Sequence, residues 1–357
     1  MQPINNREHL VINWVIPKPF KGSGGHTSIF RIIKYLVEFG HECRIYFYMP
    51  INETSLQSGS DLQRFVDSSF GVIGANFQLW TGEVTDADAT FATHYSTAYE
   101  VRKLVNGGRL FYFVQDFEPY FSGMGSEYLR AEHTYRLGLH CITLGPWLAE
   151  LIQKNYGGRA DHFDFAVDTT RYHPRVQAQP AQDTTTRKRI AFYARPSTPR
   201  RAYFLGIEAL EIVKTECPDV DILFFGSTEL EHLPHFPFTN LGILSEDELA
   251  QLYSTSDAGL VMSLTNPSLI PFEMMACRCP VVDLRSERVA FMMVDRHTAL
   301  LAEAKPQSVA HALLQLLRDT ALRQSIVDRA YAQVSHLSWR NSALQVEALI
   351  FKGLRQP

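Results

Sequence analysis

Between Thr265 and Val282 the chain reads TNPSLIPFEMMACRCPVV. A polar loop broken by proline (Thr265, Asn266, Pro267, Ser268) leads into an apolar run that carries one acid, Glu273. After Arg278 and Cys279 a short β-branched strand starts at Pro280. A loop that turns directly into a helix exposes backbone N–H groups, and such a helix start can seat a phosphate. One carboxylate part way along that helix can reach past the phosphate to ribose hydroxyls. The plainer alternative is a buried amphipathic helix whose single acid is satisfied internally.

The 357 residues suffice for two domains, each with its own core. Apolar residues make up 45% and charged residues 20%, which excludes a disordered chain. A formal charge of −4 gives no reason to expect a nucleic-acid partner. No apolar run is long enough to span a bilayer, and the polar start, Met1 to Glu8, predicts no signal peptide. The five cysteines (43, 141, 217, 277, 279) are scattered and odd in number, which predicts reduced core thiols in the cytoplasm. The histidines form no metal-ligand spacing, so no metal is expected.

Outward from the deciding stretch, strand-like and helix-like runs alternate. His9 to Pro17 reads as a buried parallel strand, followed by a glycine-rich turn to Gly25, a helix from about Thr27, and a second strand from Cys43 to Met49. The turn invites comparison with the dinucleotide fingerprint. It fails that test, because Thr27 stands where a small residue is needed and Tyr48-Met49 where a ribose-binding acid belongs. Further strands are expected at 77–80, 89–94, 109–115, 140–145 and 162–167, with helices near 97–104, 126–136 and 146–155. Such alternation predicts a parallel sheet covered on both faces, with ligands outside the carboxyl ends of the strands. Those ends carry Gly24 and Gly25, His94, and the run Gln115-Asp116-Phe117-Glu118. The last places two carboxylates and an amide after an apolar strand; a surface loop capped by Asp116 is the alternative.

Residues 176–188 have no apolar period and read as a linker. Beyond it, a strand over Arg189–Arg195, a turn and a helix gather Arg195, Arg200 and Arg201 at one junction. Arginine suits a diphosphate because its planar fork gives bidentate bonds and its charge persists at any working pH; a solvated basic turn is the alternative. Strands are expected at 222–226, 241–244, 259–262 and 281–284. Ser245 with Glu248 forms a capping box, and two late helices (307–317, 321–335) precede a tail from Trp339.

Glu273, Met274, Met275, Ala276 and Pro280-Val281-Val282 resemble the second half of the signature of retaining GT-B glycosyltransferases of family 4. The first glutamate of that signature falls at Thr265, a departure that also occurs in bacterial rhamnosyltransferases of the family. Phe165 to Pro174 resembles the segment at the GT-B domain junction. Gln115 to Tyr120, with Ala92-Thr93-His94 and Ser96 to Tyr99, resembles the rhamnan-synthesis branch. The resemblance implies an α/β GT-B fold of two doubly wound Rossmann-like domains facing across a cleft. It places an acceptor-side domain at 1–173, a linker at 174–188, a nucleotide-sugar domain at 189–338 and a returning helix at 339–357.

The implied activity is transfer of L-rhamnose from a dTDP-linked donor to a saccharide hydroxyl, retaining, without metal and without a cofactor beyond the nucleotide diphosphate sugar. Arg195, Arg200 and Arg201 would stabilise the leaving diphosphate, with Asp116 as the acid to serve as proton acceptor. Gly24, Gly25, Gly226, Ser268, Leu269 and Glu273 would hold the donor. His94, Gln115 and Glu118 would orient sugar or acceptor. Implied partners are the nucleotide-sugar donor and an oligosaccharide or lipid-linked glycan, in the cytoplasm at the inner face of the membrane, with peripheral attachment to assembly machinery left open. Two rival readings stay open: a non-catalytic GT-B module of a larger assembly protein, and a nucleotide-sugar epimerase of the same fold.

Overall fold

A computed structural model describes residues 9–49, 58–175, 187–230 and 232–356. The expected linker at 174–188 and the polar start fall mostly or wholly outside them. The chain divides into two compact units. One is built from the chain through Phe165 together with the segment from Trp339, and the other runs from Ala166 to Ser338.

The first unit is a seven-stranded sheet. Its elements are β1 (Val11–Pro17), α1 (Gly24–Glu38), β2 (Glu42–Tyr48), α2 (Gly59–Phe70), β3 (Asn76–Leu79), β4 (Ala89–Ala92), α3 (Tyr95–Val101), β5 (Arg109–Val114), α4 (Ser126–Thr134), β6 (His140–Leu144), α5 (Pro146–Tyr156) and β7 (Ala160–Phe163). The strand order is β3-β2-β1-β4-β5-β6-β7, and every pairing is parallel. Parallel strands of this kind need helices on both faces, and the strand residues divide accordingly. Val15, Ala92, Tyr112 and Val114 pack with Ala98, Leu148 and Ile152 of α3 and α5. Trp14, Phe91 and Phe111 form an aromatic stack on the other face, with centroids 4.2 and 4.8 Å apart.

The second unit carries β8 (Arg189–Tyr193), α6 (Tyr203–Glu216), β9 (Asp221–Phe225), β10 (Thr239–Asn240), α7 (Glu246–Ser254), β11 (Ala258–Leu260), α8 (Ile270–Ala276), β12 (Val281–Leu284), α9 (Glu287–Ala290), β13 (Leu300–Ala302), α10 (Pro306–Arg318) and α11 (Thr320–Val334). Its sheet, again parallel throughout, has the order β10-β9-β8-β11-β12-β13. Ile190, Phe192, Phe224 and Leu260 pack with Leu210 and Val213 of α6 and Leu313 of α10. Against the other face, Met274 of α8 lies so close to Gly259 that a Cβ there would meet its sulfur at 2.4 Å.

The last helix, α12 (Trp339–Leu354), belongs to the first unit. His41 Nε2 meets Glu347 Oε1 at 2.9 Å while its Nδ1 accepts from the Leu10 N–H, so the ring donates to Glu347. Lys352 donates to Asp161, and the Gly353 backbone sits against the Phe111 ring.

Several sequence expectations shift. Helix α1 starts at Gly24 rather than Thr27, because the Ser23 hydroxyl accepts from the His26 N–H and caps it. The left-handed residue of that turn is Gly22, at φ 80°. The strand expected at 241–244 is only Thr239–Asn240. Gly242 turns away at φ 71°, and its N–H donates to the Asn240 side chain. Strand β7 starts and ends earlier than 162–167, and α2 and β13 had no counterpart in the sequence reading.

Helix α6 supplies a test of how tightly the second core is packed. A Cβ at Gly206 would stand 2.3 Å from Cζ of the fully buried Phe192 ring. Alanine gains about 1 kcal/mol over glycine in a helix interior, but overpacking a rigid core costs about 1–3 kcal/mol. Gly206→Ala is therefore expected to lower stability by up to about 2 kcal/mol in urea unfolding, despite its better helix propensity.

Candidate functional site

In each unit the chain leaves the middle of the sheet in opposite directions, which opens a crevice at the carboxyl ends of the two diverging strands. In the first unit those strands are β1 and β4. Gly24 and Gly25 are the first two residues of α1, and a Cβ at Gly24 would meet nothing within 4 Å. At Gly25 the nearest atom is Nε2 of Gln115, which donates to the Gly25 carbonyl at 3.1 Å. The His26 ring is fixed from both sides: Nε2 faces the Pro17 carbonyl at 3.2 Å and Nδ1 faces Ser23 Oγ at 2.7 Å. A carbonyl can only accept, so Nε2 carries the proton and Ser23 donates to Nδ1.

After β4, His94 caps α3. Its Nδ1 lies 2.9 Å from Ser96 Oγ, and the Thr97 hydroxyl receives the His94 backbone N–H. After β5, Asp116 is buried with Oδ1 accepting from the Phe117 N–H. Glu118 is almost fully buried; Oε2 accepts from the Tyr95 N–H at 2.6 Å and stands 3.9 Å from His94 Nε2. Burial pushes the Glu118 carboxyl up to about 8, outweighing the bonds that favour its charge. Burial, aided by the nearby His26, pulls His94 down to about 4, and burial does the same to His26. At neutral pH this pair is a carboxylic acid beside a neutral imidazole, not an ion pair. The crevice thus offers mainly uncharged donors and acceptors, which is the chemistry that recognises hydroxyl groups.

The second unit presents the opposite character at the ends of β8 and β11. Arg195 lies over the Tyr193 ring, 5.8 Å from its centroid. Gly226, at φ 99°, closes on the same pair, and a Cβ there would meet Tyr193 at 2.7 Å and the Arg195 side chain at 3.3 Å. Neither the backbone angle nor the space admits another residue. Pro199–Arg201 forms a 3-10 turn that ends in the left-handed Ala202. The Arg200 carbonyl accepts from the Leu264 N–H, which ties this basic turn to the loop after β11. Arg201 is buried, and its Nη1 has no hydrogen-bond partner.

That loop is anchored from below by Asp283, a fully buried carboxylate in β12. Its oxygens accept from the Ser263 N–H (2.7 Å), the Ser263 hydroxyl (2.8 Å) and the Leu284 N–H (2.7 Å). Burial nevertheless raises its carboxyl to about 6, against those bonds and the Arg201 charge. Downstream, Leu269 enters the seven-residue α8, whose Pro271 lacks an N–H, and the Ser268 hydroxyl makes no hydrogen bond. Glu273 is buried on α8 close to Tyr253, whose phenol is pushed upward by burial and further by the Glu273 charge. The capping box at Ser245 and Glu248 forms as the sequence predicts.

Gly24, Gly25, His94, Gln115, Asp116 and Glu118 therefore share one crevice in the first unit. Arg195 and Gly226 meet in the second, where Arg200 and Arg201 are joined to the loop that leads to Ser268, Leu269 and Glu273. Sequence reasoning missed Ser263 and Asp283. The available signal was an acid inside the otherwise apolar strand Val281–Leu284, a position tolerated only with full hydrogen bonding. Among the described residues no group of three or more metal-ligating side chains occurs, and no helix is long and apolar enough to cross a membrane.

Comparison with known proteins gives the fold a name. Residues 188–314 match the family described as WsaF, C-terminal domain. Over 337 residues, 91% of this chain, the sequence is 32% identical to the O-antigen biosynthesis protein RfbC of Myxococcus xanthus, and it spans only 26% of the length of that relative. Among solved structures, HepE of Anabaena with UDP and glucose superposes with a TM-score of 0.72, 13% identity and coverage of 96% of this chain and 100% of that one. Sucrose-phosphate synthase of Thermosynechococcus elongatus gives 0.69, with 14% identity and coverage of 96% and 99%. The two parallel α/β sheets are those of the GT-B glycosyltransferase fold.

The Glu118 carboxyl carries a pH signature. Its folded value lies above its unfolded one, so its contribution to stability is fully present below about pH 4.5 and is lost as pH rises through about 8. Between those limits the loss approaches about 1.4 kcal/mol per pH unit. Glu118→Gln keeps an acceptor for the Tyr95 N–H without the titration. Unfolding free energy measured from pH 5 to 8 should fall less steeply in the variant than in the wild type.

Proposed function

We propose that the chain is a glycosyltransferase unit that moves a sugar from a nucleoside diphosphate donor to a saccharide hydroxyl during assembly of a surface polysaccharide such as O-antigen. L-rhamnose from dTDP-rhamnose is the donor it is best suited to. The observation that carries the reading is the convergence of Arg195, Arg200 and Arg201 on the carboxyl ends of the second unit's central strands, beside the loop 263–269. A leaving diphosphate develops charge, and fixed cations aimed at that charge stabilise the transition state more than any other device open to such a catalyst. The likeness in fold to HepE, solved with UDP and glucose, and the sequence likeness to an O-antigen biosynthesis protein support the substrate class.

In this scheme Arg195, Arg200 and Arg201 neutralise the leaving group, helped by the backbone N–H groups of Ser268 and Leu269. Glu273 accepts from the ribose, and Gly226 leaves room beside Arg195. Gly24 and Gly25 admit close approach of the donor to the backbone. His94, Gln115 and Glu118 orient sugar or acceptor through uncharged hydrogen bonds, and Asp116 takes a proton if one must move. The scheme requires no metal. Residues 1–173 serve the acceptor and 189–338 the nucleotide sugar, with 174–188 joining them, and the acceptor is an oligosaccharide or lipid-linked glycan at the inner face of the membrane. One observation favours a second reading, a non-catalytic nucleotide-sugar-binding module. Thr265, buried, stands where the family signature has its first glutamate.

A thermal-shift panel of dTDP, UDP and GDP on the wild type and on Arg195→Ala tests the donor site. Ligand at a hundredfold excess over its dissociation constant stabilises by about 2.7 kcal/mol. A shift with dTDP that is lost in the variant supports the proposal, and no shift with any of the three overturns it. Binding without turnover of dTDP-rhamnose on a glycan acceptor selects the non-catalytic module.

A further inference from the structure

We infer that Asp283 is the positioning residue of the second unit's anion site, holding the loop after β11 and the basic turn 199–201 in register so that Arg201 keeps one nitrogen for a ligand oxygen. The inference rests on the proposed function in taking a nucleoside diphosphate as the ligand. Asp283 lies in β12, between β11 and β13, with no exposed surface. A carboxylate in such a strand is retained only where its oxygens are satisfied, and both are. Two of its three bonds go to Ser263, which lies just beyond the last backbone bond of that edge, Val261 N–H to the Val282 carbonyl. The carboxylate thus fixes the direction in which the loop leaves the sheet.

From Ser263 the restraint passes along the backbone. The next N–H, that of Leu264, donates to the Arg200 carbonyl at 3.2 Å, and the Leu264 carbonyl accepts from Arg288 Nη1 at 2.7 Å. The following residue of the turn is Arg201, only 8% exposed and close enough to Asp283 for their charges to interact. Its Nη1 is a buried cationic donor without a partner, and the Ser268 hydroxyl at the far end of the same loop is likewise unpaired. Native structures keep such a donor rarely, and a ligand oxygen would complete it. Asp283 touches neither nucleotide nor sugar in this scheme; it acts through Ser263 and Arg201.

The test compares wild type, Asp283→Ala, Asp283→Asn and Ser263→Ala for binding of dTDP and UDP against dTMP and UMP, by calorimetry on the full chain. Asp283→Ala releases the loop, so diphosphate affinity should fall by about tenfold or more and the preference for diphosphate over monophosphate should collapse. Asp283→Asn retains an oxygen that can accept from both N–H groups and should restore most of the affinity and the preference. Ser263→Ala, which removes one bond and spares the fold, should lose part of both. Wild-type affinity and preference in Asp283→Ala and Ser263→Ala would overturn the inference, as would an Asp283→Asn that binds as poorly as Asp283→Ala. A wild type that binds no nucleoside diphosphate refutes the proposed function instead. Amide exchange at Ser263 and Leu264 then decides the positioning role, with acceleration in Asp283→Ala supporting it and unchanged protection overturning it.

Discussion

The backbone hydrogen bonds of two parallel sheets, each covered by helices on both faces, constrain everything else in this protein. A strand sealed on both sides must be apolar along its body, as Leu110 to Val114 and Val281-Val282 are, and it can present chemistry only where it ends. Parallel strands all end on the same edge of their sheet. The polar inventory of each unit is therefore gathered on one edge, and the reversal of winding at β1/β4 and at β8/β11 opens that edge. Asp283 breaks the apolar rule inside a strand, and three hydrogen bonds offset the cost.

The two edges differ in electrical character. In the first unit, burial works against the charges of three crevice groups: Glu118 keeps its proton, and His94 and His26 lose theirs. Neutral groups with fixed donor and acceptor roles discriminate hydroxyl patterns by geometry, because a misplaced hydroxyl leaves a buried polar atom unpaired. In the second unit three arginines stand around a loop and a glycine that admits close approach. Guanidinium groups do not shed their charge on burial at working pH, so this edge stays cationic where Glu118, His94 and His26 of the other are neutral. Sugar recognition and diphosphate recognition call for these two environments respectively.

Features set by neighbours in the chain were legible in the sequence. The box at Ser245 and Glu248 is read from four residues, and Val281–Leu284 is bounded by its own proline and polar flank. The carboxyl-end positions of His94, Gln115 and Arg195 followed from the alternation of strands and helices. What depended on distant partners was not legible. Asp283 looks like an error in a strand until Ser263, twenty residues earlier, is placed beside it. Glu118 gives no sign in sequence that the Tyr95 N–H and burial will hold it neutral. The start of α1 was misplaced because the glycines draw the eye, whereas the Ser23 hydroxyl decides where the helix begins.

Helix α12 has a consequence for the order of events in synthesis. It supplies His41 with a buried acceptor and covers Phe111 with the backbone of Gly353, so the first unit is not finished by its own contiguous stretch of chain. At ribosomal speeds of about 5–20 residues per second, roughly 10–35 s separate emergence of Phe165 from that of Trp339. During that interval the aromatic face of a nascent sheet lacks part of its cover, and the second unit must be made before it arrives. Closing the first unit thus waits on synthesis of the second, and a ribosome that stalls within the second unit leaves the first one open.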